Sequence, residues 1–219
     1  MRAKPLVKIC GITRPEDAEL AVSLGADLLG LNFYPPSPRC LSLEAARAIV
    51  EAVRGQVGLV GVFVDRPPAE VAALDSALGF DFLQFHGREP ASELEPHGAR
   101  AIKVFRLRPG EPLPSLEPYP RAWGFLFDLW HPELYGGMGT GWDYRLLAPL
   151  AGSGRPYLVA GGIRPENARP ALEESGAAGV DVCSGVESSP GRKDPDLLAR
   201  LFHQLETPRE PIDHGIRPT

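Results

Sequence analysis

A thiol, a carboxylate, a guanidinium and an imidazole each stand beside turn-forming residues in this sequence. They are Cys10-Gly11, Asp128 ahead of a loop holding Gly136, Gly137, Gly139 and Gly141, Arg39 after Pro35-Pro36-Ser37-Pro38, and Gln84-Phe85-His86-Gly87. Side chains of these types can move protons and bind anions. Two further stretches, Ala160-Gly161-Gly162 and Asp181-Val182-Cys183-Ser184-Gly185-Val186-Glu187, combine glycines with a serine. Backbone N–H groups without flanking side chains can close around a phosphate, and a short helix starting near Ser184 would aim its positive end at one. Gly161, Gly162, Ser184 and Gly185 therefore point to a phosphate monoester. Each residue also has a plainer reading. Cys10 could be a small buried core residue, Asp128 a loop cap, Arg39 a solvated side chain, His86 a structural hydrogen-bonder, and the glycines tight turns.

The elements that must position them follow from hydrophobic pattern. VKICG (7–11), DLLGLNF (27–33), VGLVGVFV (57–64), DFLQF (81–85), RAIKVF (100–105), WGFLFDL (123–129), PYLVA (156–160) and GVDVC (179–183) are short, almost continuous apolar runs. Such runs suit strands of a parallel sheet buried on both faces. Between them lie amphipathic segments: Ala18, Ala21, Val22 and Gly25; Ala46, Ile49, Val50 and Val53; Leu198, Leu201, Phe202 and Leu205 follow the i, i+3, i+4, i+7 spacing of a helix face. Thr13 and Glu16 have the spacing of a capping box, Gly25 and Gly55 are placed to end helices, and Asp194-Pro195 reads as a cap with proline in the first turn. Eight βα units in order favour a single (β/α)8 barrel of the α/β class. Five prolines between 107 and 120 predict that the fifth helix is reduced or missing, and Pro170 is expected to cost the seventh helix a hydrogen bond. In such barrels the chemistry sits where strands end and βα loops begin, and every residue named above falls there.

Composition bounds the rest. The 219 residues match the roughly 200–250 of one such barrel, so one catalytic domain is expected over 1–206 and a polar tail over 207–219. No stretch approaches the ~18 uninterrupted apolar residues of a membrane span, and the N-terminus lacks the apolar core of a signal peptide, so a cytoplasmic location without membrane partners is expected. A net charge of -5 argues against nucleic acid as a partner. Three cysteines at wide spacing give neither a disulfide framework nor a metal-binding pair. Both a monomer and a homodimer are compatible with the sequence.

Lys8-Ile9-Cys10-Gly11-Ile12-Thr13, Ser37-Pro38-Arg39, Gln84-Phe85-His86-Gly87, Gly139-Thr140-Gly141 and the run Asp181 to Asp194 together resemble the phosphoribosylanthranilate isomerase family of tryptophan biosynthesis. The resemblance runs in order from residue 7 to about 206. It implies an Amadori rearrangement of N-(5-phosphoribosyl)anthranilate to 1-(2-carboxyphenylamino)-1-deoxyribulose 5-phosphate, with no metal or organic cofactor. It places a general acid at Asp128 and a general base at Cys10, the two titrating groups being pushed toward each other. Free in water near pH 7, a thiol of pKa ~8.5 is a few per cent ionised and a carboxyl of pKa ~3.9 is about 0.1% protonated, so both need tuning. Arg39 is then the partner for the anthranilate carboxylate, with Gln84, His86, Gly139 and Gly141 lining the substrate site. Cys183 departs from the family, where serine is usual. Indole-glycerol-phosphate synthase would want an early catalytic lysine, and Lys8 is expected to point to the opposite side of the strand from Cys10. An aminoimidazole ribotide isomerase would want aspartate in place of Cys10. A noncatalytic sugar-phosphate-binding barrel would keep the glycines but need neither Cys10 nor Asp128.

Overall fold

A computed structural model describes residues 4–108, 110–129 and 143–206. Eight parallel strands follow one another around a closed barrel in sequence order: β1 (Leu6–Cys10), β2 (Leu28–Asn32), β3 (Gly58–Phe63), β4 (Phe82–Phe85), β5 (Ala101–Leu107), β6 (Gly124–Leu129), β7 (Tyr157–Ala160) and β8 (Gly179–Val182). Each coincides with one of the apolar runs, shifted by at most two residues at an end. The runs are apolar throughout because both faces are covered. Leu28, Val60, Val62, Ile102, Val104, Leu126 and Leu158 fill the barrel interior. Alternate residues such as Ile9, Leu29, Leu83 and Phe127 pack outward into the larger core under the helices.

The covering helices are α1 (Pro15–Ser23), α2 (Leu43–Val53), α3 (Pro68–Leu78), α4 (Ala91–Leu94), α5 (Ala168–Ser175) and α6 (Pro195–Glu206). In α2 the buried residues are Ala46, Ile49, Val50 and Val53, the face that the spacing predicts. Asp194 caps α6 by accepting from the amides of Asp196 and Leu197. Between β5 and β6 the described residues form no helix, as the prolines require. After β6 the run Tyr144–Gly152 is a 3-10 helix with Pro149 inside it, where a full α-helix was expected. Proline removes the amide that an α-helix would use there.

Two local expectations are corrected. Thr13 and Glu16 form no capping box, because the N-cap of α1 is Arg14 without a side-chain cap, and the Thr13 hydroxyl instead donates to the Gly191 carbonyl. Pro170 costs nothing, since α5 begins at Ala168 and its first-turn amides have no partner within the helix anyway. After β8 come one 3-10 turn, Ser184–Val186, and a short antiparallel pair, β9 (Glu187–Ser189) and β10 (Arg192–Lys193). Besides the Thr13 contact, the Lys193 amide donates to Asp17 of α1 at 3.0 Å, which ties this hairpin to the first βα unit. Among the described residues no helix is long and apolar enough to cross a membrane.

The seam between first and last strands holds a buried ion pair. Lys8 lies opposite Asp181 in the β1–β8 register, with Nζ 2.8 Å from Oδ1 and the lysine fully buried. Lys8 does not point away from Cys10. Strand side chains alternate with a period of two, so positions 8 and 10 share the inward face. Replacing Lys8 by Met strands a buried carboxylate and is expected to destabilise the fold by about 3–5 kcal/mol. Lys8→Met combined with Asp181→Leu, which removes both charges, should recover most of that loss. Urea unfolding compares the variants; equal losses would mean that the pair contributes only shape.

Candidate active site

Cys10 ends β1 at the rim, directly above Lys8. Both side chains crowd the inner face of β2 at Gly30, where a Cβ would stand 2.8 Å from Cys10 Sγ and 3.0 Å from Lys8 Nζ. Only glycine leaves room there for a thiol and an ammonium together. Lys193, brought over the rim by the β9–β10 hairpin, donates to the carbonyls of Cys10 at 2.6 Å and Cys183 at 3.1 Å and to Glu187 at 2.9 Å. Cys183 packs beside Cys10 in the inner cluster. Hydrogen bonding to Cys183, outweighing burial, holds the Cys10 thiol well below the ordinary range, helped by the charges of Lys8, Lys193 and His86. Cys183, the donor, is pushed up by the same bond and by burial. Lys193 bears on both sulfurs, and Lys8 adds its charge on Cys10, which makes Cys10 the thiolate of the two. Burial lowers the Lys8 ammonium, but Asp181 and Cys10 more than offset this and leave its pKa raised. Burial pushes Asp181 up to about 6 against the pull of Lys8, with the Cys10 charge adding to the rise.

Arg39 reaches this cluster from the β2–α2 loop. Its Nε and Nη2 engage the two oxygens of Glu187, at 2.9 Å for Nε. The Arg39 Cδ and the Cys183 Sγ both lie over Gly11, at 2.5 and 2.9 Å from where a Cβ would be, and Gly11 has φ +70°. A side chain at position 11 would therefore be strained and would displace both. Despite burial, the bond to Arg39 and the charge of Lys193 keep Glu187 below the usual carboxylate range. The Arg39 pKa is raised, the Glu187 bond outweighing burial.

Across the rim, Asp128 Oδ2 lies 3.2 Å from His86 Nε2, and His86 Nδ1 lies 3.2 Å from Gln84 Nε2. Gln84 is fully buried, and its amide nitrogen can donate only if Nδ1 is bare, which leaves the proton on Nε2 facing Asp128. His86 is thus a link to Asp128 and not merely a pocket wall.

The glycine ends of β7 and β8 meet as expected. Gly161 and Gly162 have φ of +89° and +66°. The bare Cα of Gly185 lies against the Ile163 carbonyl. Among the described residues, the amides of Gly162, Ser184 and Gly185 have no hydrogen-bond acceptor. Gly139 and Gly141 lie outside the described residues. No group of three or more His, Cys, Asp or Glu side chains among the described residues is arranged to hold a metal ion.

Sequence reasoning missed Lys8, Asp181, Glu187 and Lys193 as parts of the site. A count of two from Cys10 would have found Lys8. Lys193 comes from a hairpin whose fold over the rim no local pattern announces.

Residues 7–204 match the family model described as N-(5'phosphoribosyl)anthranilate (PRA) isomerase. The N-(5'-phosphoribosyl)anthranilate isomerase of Rubrobacter xylanophilus is 43% identical over 198 residues, spanning 89% of this chain and 96% of that one. The crystal structure of phosphoribosyl anthranilate isomerase from Thermus thermophilus superposes with a TM-score of 0.80 at 42% identity, over 91% of this chain and 98% of that one. A second structure, at 32% identity and TM-score 0.77 over 92% of this chain and 98% of that one, is a phosphoribosyl anthranilate isomerase in complex with reduced 1-(o-carboxyphenylamino)-1-deoxyribulose 5-phosphate.

A thiol with a depressed pKa is ionised at every pH above that value, so its reactivity falls only when pH drops through it. Alkylation of Cys10 by iodoacetamide, followed on its own peptide by mass spectrometry, should already be maximal well below the ~8.5 midpoint of a free thiol. Lys193→Met should move the midpoint up. A wild-type midpoint in the ordinary range would contradict the charge arrangement.

Proposed function

The chain belongs to the N-(5'-phosphoribosyl)anthranilate isomerase family, and from that premise we propose that Cys10 and Asp128 divide the acid–base work of its reaction. The activity is the isomerisation of N-(5'-phosphoribosyl)anthranilate to 1-(2-carboxyphenylamino)-1-deoxyribulose 5-phosphate in tryptophan biosynthesis. A cytoplasmic location belongs to the proposal and rests on the biosynthetic role of the family.

The observation that carries the proposal is that a thiol set between Lys8 and Lys193 and a carboxyl in contact with an imidazole stand on opposite sides of one barrel mouth. Asp128 protonates the furanose ring oxygen, the C1–O bond breaks, and the anilino nitrogen lone pair forms a protonated imine. Sγ of Cys10 then takes the C2 proton, and the C2–H electron pair becomes the C1=C2 bond of an enolamine as the imine electrons return to nitrogen. Protonation at C1 and loss of the C2 hydroxyl proton give the ketone. The cationic imine forms beside a thiolate, so its charge is met where it develops. The 3.2 Å contact to His86 gives Asp128 a fixed direction and a neighbour with which to share a proton.

Glu187 occupies the Nε/Nη2 edge of Arg39, which leaves the Nη1/Nη2 edge as the fork for the anthranilate carboxylate. The free amides of Gly162, Ser184 and Gly185 suit the phosphate. The 3-10 turn at Ser184 is too short to add a useful helix dipole, so the amides alone carry that part.

Turnover is read as enzyme-dependent loss of the substrate's fluorescence. Cys10→Ser and Asp128→Asn are each expected to lower kcat by about 10²–10⁴-fold, and near-normal kcat in both would overturn the assignment. Arg39→Ala should act chiefly on KM; an unchanged KM would remove it from the carboxylate site.

A further inference from the structure

Cys183 raises a question that the isomerisation leaves unanswered, because the reaction needs one thiol at this rim and the protein has two. We propose that Cys10 and Cys183 form a peroxide-reactive dithiol that closes into an intramolecular disulfide. The β1–β8 register pairs Lys8 with Asp181 and Ile9 with Val182, so the next step up the seam sets Cys10 beside Cys183. Lys8 and Asp181 are already in contact across this seam, and the cysteines are the following inward pair. Neighbouring strands lie ~4.8 Å apart, within the ~4.4–6.8 Å between Cα atoms that a disulfide spans.

Cys183 packs against the same inner cluster that holds Cys10. Each faces a glycine, Cys10 Sγ at Gly30 and Cys183 Sγ at Gly11, so no Cβ obstructs the rotation that would bring them together. Cys183 is only partly buried and so faces the open side of the rim. The third thiol, Cys40, contacts the Leu41 carbonyl instead.

The chemistry balances with a hydroperoxide as oxidant. The Cys10 thiolate attacks the distal oxygen, the O–O bond breaks, hydroxide or alkoxide leaves, and Cys10 becomes a sulfenic acid. The Cys183 sulfur then attacks Cys10 Sγ, the S–O bond breaks, and the leaving hydroxide takes the thiol proton as water. The peroxide is reduced and two thiols become one disulfide. A dithiol reductant reverses it. Without Cys183 the sulfenic acid has no neighbouring thiol and a second peroxide carries it to sulfinic acid, which such reductants do not restore.

The test uses the whole protein without substrate, treated with excess hydrogen peroxide and then dithiothreitol. Peptide mapping of the wild type and of Cys40→Ser should show a Cys10–Cys183 disulfide, with near-complete loss of turnover that returns after reduction. Cys183→Ser, whatever its starting rate, should lose its activity for good and carry sulfinic acid at Cys10. Wild-type protein whose Cys10 goes to sulfinic acid without a disulfide overturns the proposal, as does Cys183→Ser recovering as fully as wild type. A disulfide formed with undiminished turnover would support the dithiol and overturn Cys10 as the base. Wild-type mapping decides even if the Cys183→Ser variant does not fold.

Discussion

The Lys8–Asp181 ion pair inside the barrel sets the terms for everything above it. It joins the first strand to the last where the sheet closes, and it places a fixed positive charge directly under the reactive thiol. An ammonium buried there alone would be neutralised or expelled, because desolvating a charge costs more than any one hydrogen bond returns. With Asp181 and Cys10 both acting on it, Lys8 stays charged. Burial drives Asp181 up to about 6 against the pull of Lys8, and the Cys10 charge adds to the rise. A second cation is therefore needed at the rim. Lys193 supplies it from the hairpin, and Glu187 returns the balance while gripping Arg39. Lys8, Lys193 and Arg39 thus face Asp181, Cys10 and Glu187 in one continuous network.

That network explains why β9 and β10 exist at all. Two strands of three and two residues bury little apolar surface of their own. They are held by polar contacts to the first βα unit: Thr13 on Gly191, Asp17 on the Lys193 amide, and Lys193 on the Cys10 carbonyl. The hairpin behaves as a clamp over the seam, joining the chain's two ends at the thiol.

The barrel was legible in the sequence because strands buried on both faces leave uninterrupted apolar runs, and helices laid on them leave periodic ones. Proline was legible where it broke an element, between β5 and β6, and misleading where it did not. Pro170 falls in a first turn, which the pattern could not locate to within a residue. The site was legible at strand ends, where Cys10, His86, Asp128 and Gly162 all fall. Lys8 was misread through a counting error, since position 8 is two residues from 10 and so on the same face. Glu187 and Lys193 stood inside a recognised motif, but their work depends on a hairpin folding back over the first strand. No local propensity encodes that return. Arg39 was read as free for substrate, whereas Glu187 already holds one edge of it.

The thiol and the carboxyl of this mouth stand in different surroundings, and the barrel keeps them apart. Cys10 has ammonium groups below and beside it, on rigid strands and under a clamp. Asp128 contacts the His86 imidazole, itself in contact with the buried Gln84 amide. Cations gather on the β1–β8 side, and the Gln84–His86–Asp128 contacts cross the β4–β6 side. The position of the seam, where Lys8 finds Asp181, thereby decides which strand end lies among cations.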